Sequence, residues 1–266
     1  MKVVLTGVMG KMGQAILRQL DDTAFVLVAA IERPGHPACG SRVGQRALVV
    51  VTDDVQAAAR QGDVIIDFSH PALTMALLAE AQAAGRPMVI GTTGFTSEHH
   101  EAIRRAACHI PIVLSPNMSV GVNVLLQLID VATRALGEAY DTEILDIHHR
   151  DKQDAPSGTA LRMGEAIAHA RATTLESVGR FARSGLTGPR RAGEIGIQSL
   201  RAGDVIGEHT VTFAGPGERI ELTHRAHSRD NFVCGALLAA GWIVEQTPGS
   251  YDMQDVLRLR PNHNHK

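Results

Sequence analysis

The chain has 266 residues, 44% hydrophobic, 20% charged and 3% aromatic, enough for one large or two modest cores without disulfide support. Its 26 basic residues nearly balance 28 acidic ones, so no basic field marks a nucleic acid or an anionic membrane as partner. Three scattered cysteines, Cys39, Cys108 and Cys234, form no C-x-x-C pair, which excludes a disulfide framework or zinc cage and fits a reducing, cytoplasmic setting. The apolar start from Val3 to Val8 is broken by Thr6 and Gly7, and the run from Val120 to Ala132 carries Asn123, Gln127 and Asp130. Neither a signal segment nor a membrane span is expected.

In chain order, apolar runs at Val3 to Leu5, Phe25 to Ile31, Val64 to Phe68, Met88 to Ile90 and Ile112 to Leu114 read as strands. Helical spacing fills the gaps at Gln14 to Leu20, Val55 to Gln61, Leu73 to Ala84 and Glu98 to Ala107, with Pro71 and Ser97 at helix starts. Strands that are nearly continuous apolar runs suit a parallel sheet covered on both faces, so the class is α/β, doubly wound. A long helix from Ser119 to Leu136 follows. Four further strands, Glu143 to His149, Gly196 to Arg201, His209 to Phe213 and Arg219 to His224, with one clear helix, Gly158 to Arg171, predict an α+β second domain. An apolar helix, Asn231 to Glu245, can return to the first domain, and the polar tail Asn262 to Lys266 is expected to fray.

The first strand runs directly into Gly7-Val8-Met9-Gly10-Lys11-Met12-Gly13 and a helix. Such a turn brings backbone close to a ligand, and the helix start offers N–H groups to a pyrophosphate, so Gly7, Val8, Met9, Gly10, Lys11 and Met12 are candidate dinucleotide contacts. The spacing is G-x-x-G-x-x-G, and the context of strand and helix carries the reading more than the glycines do. Glu32, nineteen positions beyond Gly13, can accept from the adenosine ribose. The adjacent Arg33 can pair with a 2′-phosphate, so the doublet predicts use of NADH or NADPH. Gly91, Thr92 and Thr93 at one strand end, and Ser115, Pro116, Asn117 and Met118 at another, stand where ligands collect in doubly wound sheets and can face the nicotinamide half.

The densest ionisable stretch runs from His148 to Thr159. Only four lysines, Lys2, Lys11, Lys152 and Lys266, stand among the 26 basic residues, and a lysine can yield a proton where arginine cannot. His148 and His149 point to opposite faces of a regular strand, so one can serve as acid while the other binds or orients substrate. Ser157, Gly158 and Thr159 open a helix after Pro156 and form an anion-binding corner suited to a carboxylate. A cofactor-sensing module would need no proton donor, and His100-Glu101-Ala102-Ile103-Arg104 lacks the second histidine of a zincin helix. An enzyme, and not one with a zincin-type metal site, is therefore expected; another amino-acid dehydrogenase is the alternative.

These motifs, together with Asp67-Phe68-Ser69, Val89 to Phe95, Asn117 to Asn123, and Gly203-Asp204 through Gly207-Glu208-His209, resemble the dihydrodipicolinate reductase family over nearly the whole chain. The resemblance implies NADH- or NADPH-dependent reduction of a cyclic dicarboxylate, 4-hydroxy-tetrahydrodipicolinate, to tetrahydrodipicolinate with loss of water, in diaminopimelate and lysine biosynthesis. It implies His148 as proton donor, Lys152 as the second catalytic group, His149 as a substrate contact, and Ser157, Gly158 and Thr159 as carboxylate binders. It also implies a Rossmann-like domain, residues 1–118 plus 229–266, with an inserted domain, residues 119–228, that binds substrate and builds a homotetramer through a mixed sheet, with hinges near Met118 and Ser228. Met118 stands where phenylalanine is common in the family, so a ring contact to the nicotinamide would become a thioether contact.

Overall fold

The computed structural model describes residues 1–46 and 48–260; the tail expected to fray lies outside them. The chain forms two compact units, Met1–Val120 with the chain from Arg229 onward, and Gly121–Ser228.

The first unit runs β1 (Lys2–Thr6), α1 (Lys11–Leu20), β2 (Val26–Ile31), β3 (Arg42–Val43), β4 (Val49–Thr52), α2 (Val55–Ala59), β5 (Val64–Asp67), α3 (Pro71–Ala84), β6 (Met88–Ile90), α4 (Ser97–Ala107) and β7 (Pro111–Leu114). The second holds α5 (Val120–Leu136), a 3-10 turn (Gly137–Ala139), β8 (Asp141–His148), α6 (Gly158–Ala170), α7 (Leu175–Val178), β9 (Gly179–Arg180), β10 (Ile195–Arg201), β11 (Gly207–Gly215) and β12 (Glu218–Ala226). The chain then completes the first unit with α8 (Asp230–Ile243), β13 (Gly249–Tyr251) and α9 (Met253–Val256).

The first sheet has the order β13-β7-β6-β5-β1-β2-β4-β3, parallel throughout except for the β3–β4 pair. Strand order reverses about β1, which lies between β2 and β5, so the switch point where such sheets bind ligands falls at the carboxyl ends of β1 and β5. Successive residues of β1 feed opposite cores. Val3 and Leu5 pack with Ile16 of α1 and Ala236 and Ala240 of α8, whereas Val4 packs with Leu77 of α3 and Ile103 of α4. This two-sided burial explains why the strands read as unbroken apolar runs. The β3–β4 pair, β13 and α9 were absent from the sequence reading, which left Gly40 to Thr52 and the stretch after Glu245 without elements.

The second sheet is mixed, with order β12-β11-β8-β10-β9. β10 runs parallel to β8 and β9, while β11 runs antiparallel to β8 and β12. On β8, Thr142, Ile144, Asp146 and His148 are buried and alternate with half-buried neighbours. Ile144 joins the core that Leu125 and Ile129 of α5 and Met163 and Ile167 of α6 build over this face. Val120–Ala139 has the length and mean hydropathy of a bilayer crossing, unlike the shorter stretch considered from sequence. One face of it, with Leu125 and Ile129, is buried in the protein core, while Leu128 and Val131 are exposed.

Candidate active site

The glycine turn is built by close approaches. Gly7 has φ +67°, and a Cβ there would lie 2.2 Å from the Phe68 carbonyl oxygen; a Cβ at Gly13 would lie 2.2 Å from the Gly7 carbonyl oxygen. Any side chain at either position would therefore prise the turn from β5 or from the helix. Gly7 and Val8 are buried, and the Gly7 N–H donates to the Ile31 carbonyl at 3.0 Å. Met9, Gly10 and Lys11 form an exposed lip. Gly10 caps α1 without a side-chain hydrogen bond, and the first turn carries no acid. The N–H groups at this helix start are thus uncapped, and the crowded glycines leave room for a ligand's oxygens to approach them. The residues present fit a dinucleotide pyrophosphate.

Glu32 directly follows β2 and is buried. Its Oε1 accepts from Met9 N–H at 2.8 Å and its Oε2 from Arg33 N–H at 3.3 Å, so it also ties the strand end to the glycine turn. A carboxylate has lone pairs left for a ribose hydroxyl. Arg33 is exposed.

The other strand ends divide into structural and outward parts. Thr92 is buried; its hydroxyl donates to Asp67 Oδ2 at 3.1 Å and accepts from Ser69 N–H at 2.9 Å. Thr93 is exposed. Gly91 is required by packing, because a Cβ would enter the Phe68 ring. Ser115 is buried and donates to the Asn117 carbonyl at 2.9 Å, while Pro116 is exposed. Met118 is 1% exposed and packs in the core with α8.

In the second unit, chemistry gathers where β8 ends. His148 Nδ1 lies 2.8 Å from Asp146 Oδ1, and His209 Nε2 lies 3.3 Å from the same oxygen. Asp146 Oδ2 accepts from Ser157 N–H at 3.0 Å, Ser199 Oγ–H at 3.1 Å and the Arg201 guanidinium at 3.2 Å. Asp146 is fully buried. Burial alone would raise its pKa, but the His148 and His209 imidazoles and the Ser157 donors outweigh it and hold the carboxyl far below the usual carboxylate range. Asp146, His148 and His209 bring three ligand-type atoms within 4.8 Å, and Asp146 Oδ1 lies close to both rings without an aligned hydrogen bond. The Arg201 guanidinium already supplies positive charge, so the group reads as a polar triad.

Asp146 and His209 were missed as site residues. The alternation of β8 places Asp146 on the face of His148, and the register pairs Asp146 with His209; the first fact was available from sequence spacing, the second was not. His149 is half-buried, with the strand ending before it. Lys152 forms a two-oxygen pair with Asp154, 2.7 and 2.9 Å. Arg201 donates to the Asp154 carbonyl at 2.6 Å as well as to Asp146, tethering the lysine loop to the histidine pair. Ser157 is committed inward: its hydroxyl caps α6 by accepting from Ala160 N–H at 3.2 Å and lies 3.1 Å from His209 Nε2. Gly158, by contrast, is exposed with open space beside its Cα.

Residues 1–118 match the family described as "Dihydrodipicolinate reductase, N-terminus", and residues 121–257 the one described as "Dihydrodipicolinate reductase, C-terminus". The chain is similar to the 4-hydroxy-tetrahydrodipicolinate reductases of Syntrophus aciditrophicus, 48% identical over 98% of this chain and 99% of that one, and of Nitrosomonas europaea, also 48% identical with the same coverage. Among solved structures, a dipicolinate-bound dihydrodipicolinate reductase from Paenisporosarcina sp. TG-14 shares the fold, with TM-score 0.77, 24% identity and coverage of 96% and 98%. With both halves matched in order and relatives aligned along almost their full length, the chain belongs to the dihydrodipicolinate reductase family of oxidoreductases.

Proposed function

We propose that this protein reduces 4-hydroxy-tetrahydrodipicolinate to tetrahydrodipicolinate with loss of water, using NADH or NADPH, on the route to diaminopimelate and lysine. When bound, the reduced nicotinamide supplies the hydride. The first unit is the dinucleotide-binding domain: the uncapped head of α1 holds the pyrophosphate, and Glu32 the ribose. The exposed Arg33 tolerates a 2′-phosphate, so both cofactors are used. Gly91, Thr92 and Thr93, with Ser115, Pro116 and Asn117, shape the nicotinamide end; the buried Thr92 and Ser115 do so by fixing their loops.

The second unit binds substrate. Hydride addition to a conjugated imine leaves electron density on the ring that must take a proton, and His148 donates it. The observation that carries this reading is His148 itself, its Nδ1 held against a buried carboxylate. Lys152 already grips one carboxylate, that of Asp154, and its ammonium offsets the substrate's negative charge. Gly158 and Thr159 take a substrate carboxylate at the start of α6 beside Ser157, and His149 contacts the ring. Leu200, half exposed beside Leu145 and Ile147 on the sheet face away from the helices, supports assembly of a homotetramer through this sheet. Three free cysteines suit the cytoplasm.

The test is steady-state oxidation of NADH and NADPH with the condensation product of pyruvate and aspartate semialdehyde. His148→Gln is expected to lower kcat by about 10²- to 10⁴-fold with cofactor affinity unchanged. Full turnover in that variant rejects the acid assignment. Turnover of L-aspartate or homoserine with oxidised cofactor, without reduction of the cyclic substrate, rejects the reaction.

A further inference from the structure

We propose that Asp146 is the positioning residue of the reaction: it holds the His148 ring with Nδ1 protonated and turned inward, so that Nε2 is the atom that delivers the proton. The inference rests on the assignment of His148 as acid.

Three observations converge on it. Asp146 Oδ1 stands 2.8 Å from His148 Nδ1; the two buried atoms are not aligned as a hydrogen bond and have no other partner, so the carboxylate acts on that nitrogen by charge and favours a proton there. Its other oxygen is fixed by Ser157, Ser199 and Arg201, so the carboxylate cannot swing away without abandoning three donors in a fully buried site. The far side of the ring is kept clear. A Cβ at Gly207 would stand 3.0 Å from His148 Nε2, and the backbone there is not in the left-handed region, so open space beside Nε2 is what a glycine provides at that position.

The charged and titratable groups around this ring come from every strand packed against it. Arg201 on β10 pairs in register with His148. His209 on β11 lies beside Asp146, its ring 5.2 Å from that of His148. His224 on β12 continues the same row, and burial followed by His209 and His227 pushes its pKa down. Among these cationic and ionisable neighbours, Asp146 is the anionic group set against the ring.

The experiment compares Asp146→Asn, His148→Gln and the double variant. Asparagine keeps an oxygen for Ser157, Ser199 and Arg201 but removes the charge. Asp146→Asn is expected to lower kcat about 10- to 100-fold, as loss of an orienting partner does for other functional histidines. Cofactor affinity and substrate KM should hold. In the His148→Gln background the same change should cost little more. An unchanged kcat in Asp146→Asn alongside a crippled His148→Gln overturns this inference alone, as does full additivity in the double variant. Full turnover in His148→Gln removes the acid assignment and this inference with it. Nitrogen-15 spectra of the unmutated protein provide a readout independent of any variant's folding. The neutral His148 ring should carry its proton on Nδ1, and a proton on Nε2 overturns the proposal.

Discussion

Each unit buries one fully enclosed aspartate near the carboxyl end of a strand, and the two are satisfied by opposite means. Asp67, ending β5, is surrounded by neutral hydroxyls: Ser69 and Thr74 at 2.5 Å, Thr92 at 3.1 Å, and Thr6. Asp146, near the end of β8, faces two imidazoles and a guanidinium. Hydroxyls from β1, α3 and two loops make Asp67 a knot that fixes the loops at the switch point, because each donor belongs to a different segment. Beside its neutral donors from Ser157 and Ser199, Asp146 faces ionisable imidazoles and a permanently charged guanidinium, which suits the same functional group to be a counter-charge for chemistry. A buried carboxylate is therefore interpreted by its donors, and burial alone does not distinguish a knot from a working part.

The comparison breaks most visibly if both are truncated. Asp146→Ala strands Arg201 and two histidines in a buried site and is expected to cost about 3–5 kcal/mol in urea unfolding. Asp67→Ala strands only neutral hydroxyls, some of which can rotate to new acceptors, and should cost about 1–3 kcal/mol. Equal losses would erase the distinction drawn here. Acid sharpens it. Because the folded pKa of Asp146 lies below its unfolded value, its contribution is complete above about pH 4 and is lost as pH falls further, by up to about 1.4 kcal/mol per pH unit. Glu143 adds in the same direction, since Arg183 and Arg190 outweigh its burial. Calorimetric Tm should fall below that pH, and Asp146→Asn should flatten the dependence. The smallest effect expected is for Ser157→Ala, which removes the α6 cap and the hydroxyl beside His209 at about 0.5–2 kcal/mol, measured by the same unfolding experiment.

How much of this could be read beforehand depended on range. The strands of the first sheet follow from apolar runs because both faces are covered, and α3 and α4 begin at the Pro71 and Ser97 expected as starts. The β3–β4 pair escaped because Arg42–Val43 is two residues long and flanked by Gly40 and Gly44, leaving no period to detect. In the site, residue types from His148 to Thr159 announced proton and anion chemistry. Their division of labour is set by partners distant in sequence. Ser157 gives its N–H to Asp146 and sets its hydroxyl beside His209, Thr92 donates to Asp67, and Met118 packs into the core with α8.

The bare head of α1 has a thermodynamic corollary. A helix beginning at a glycine, with neither side-chain cap nor acid in its first turn, forgoes the stabilisation its dipole could have drawn from its own chain. On the proposed function, a nucleotide phosphate would act as the missing cap, and occupancy would become a source of rigidity for this unit. Saturating it to 100 times Kd would add about 2.7 kcal/mol to its resistance to unfolding, so protease nicking or hydrogen exchange in α1 should slow as nucleotide is added, before any substrate is present.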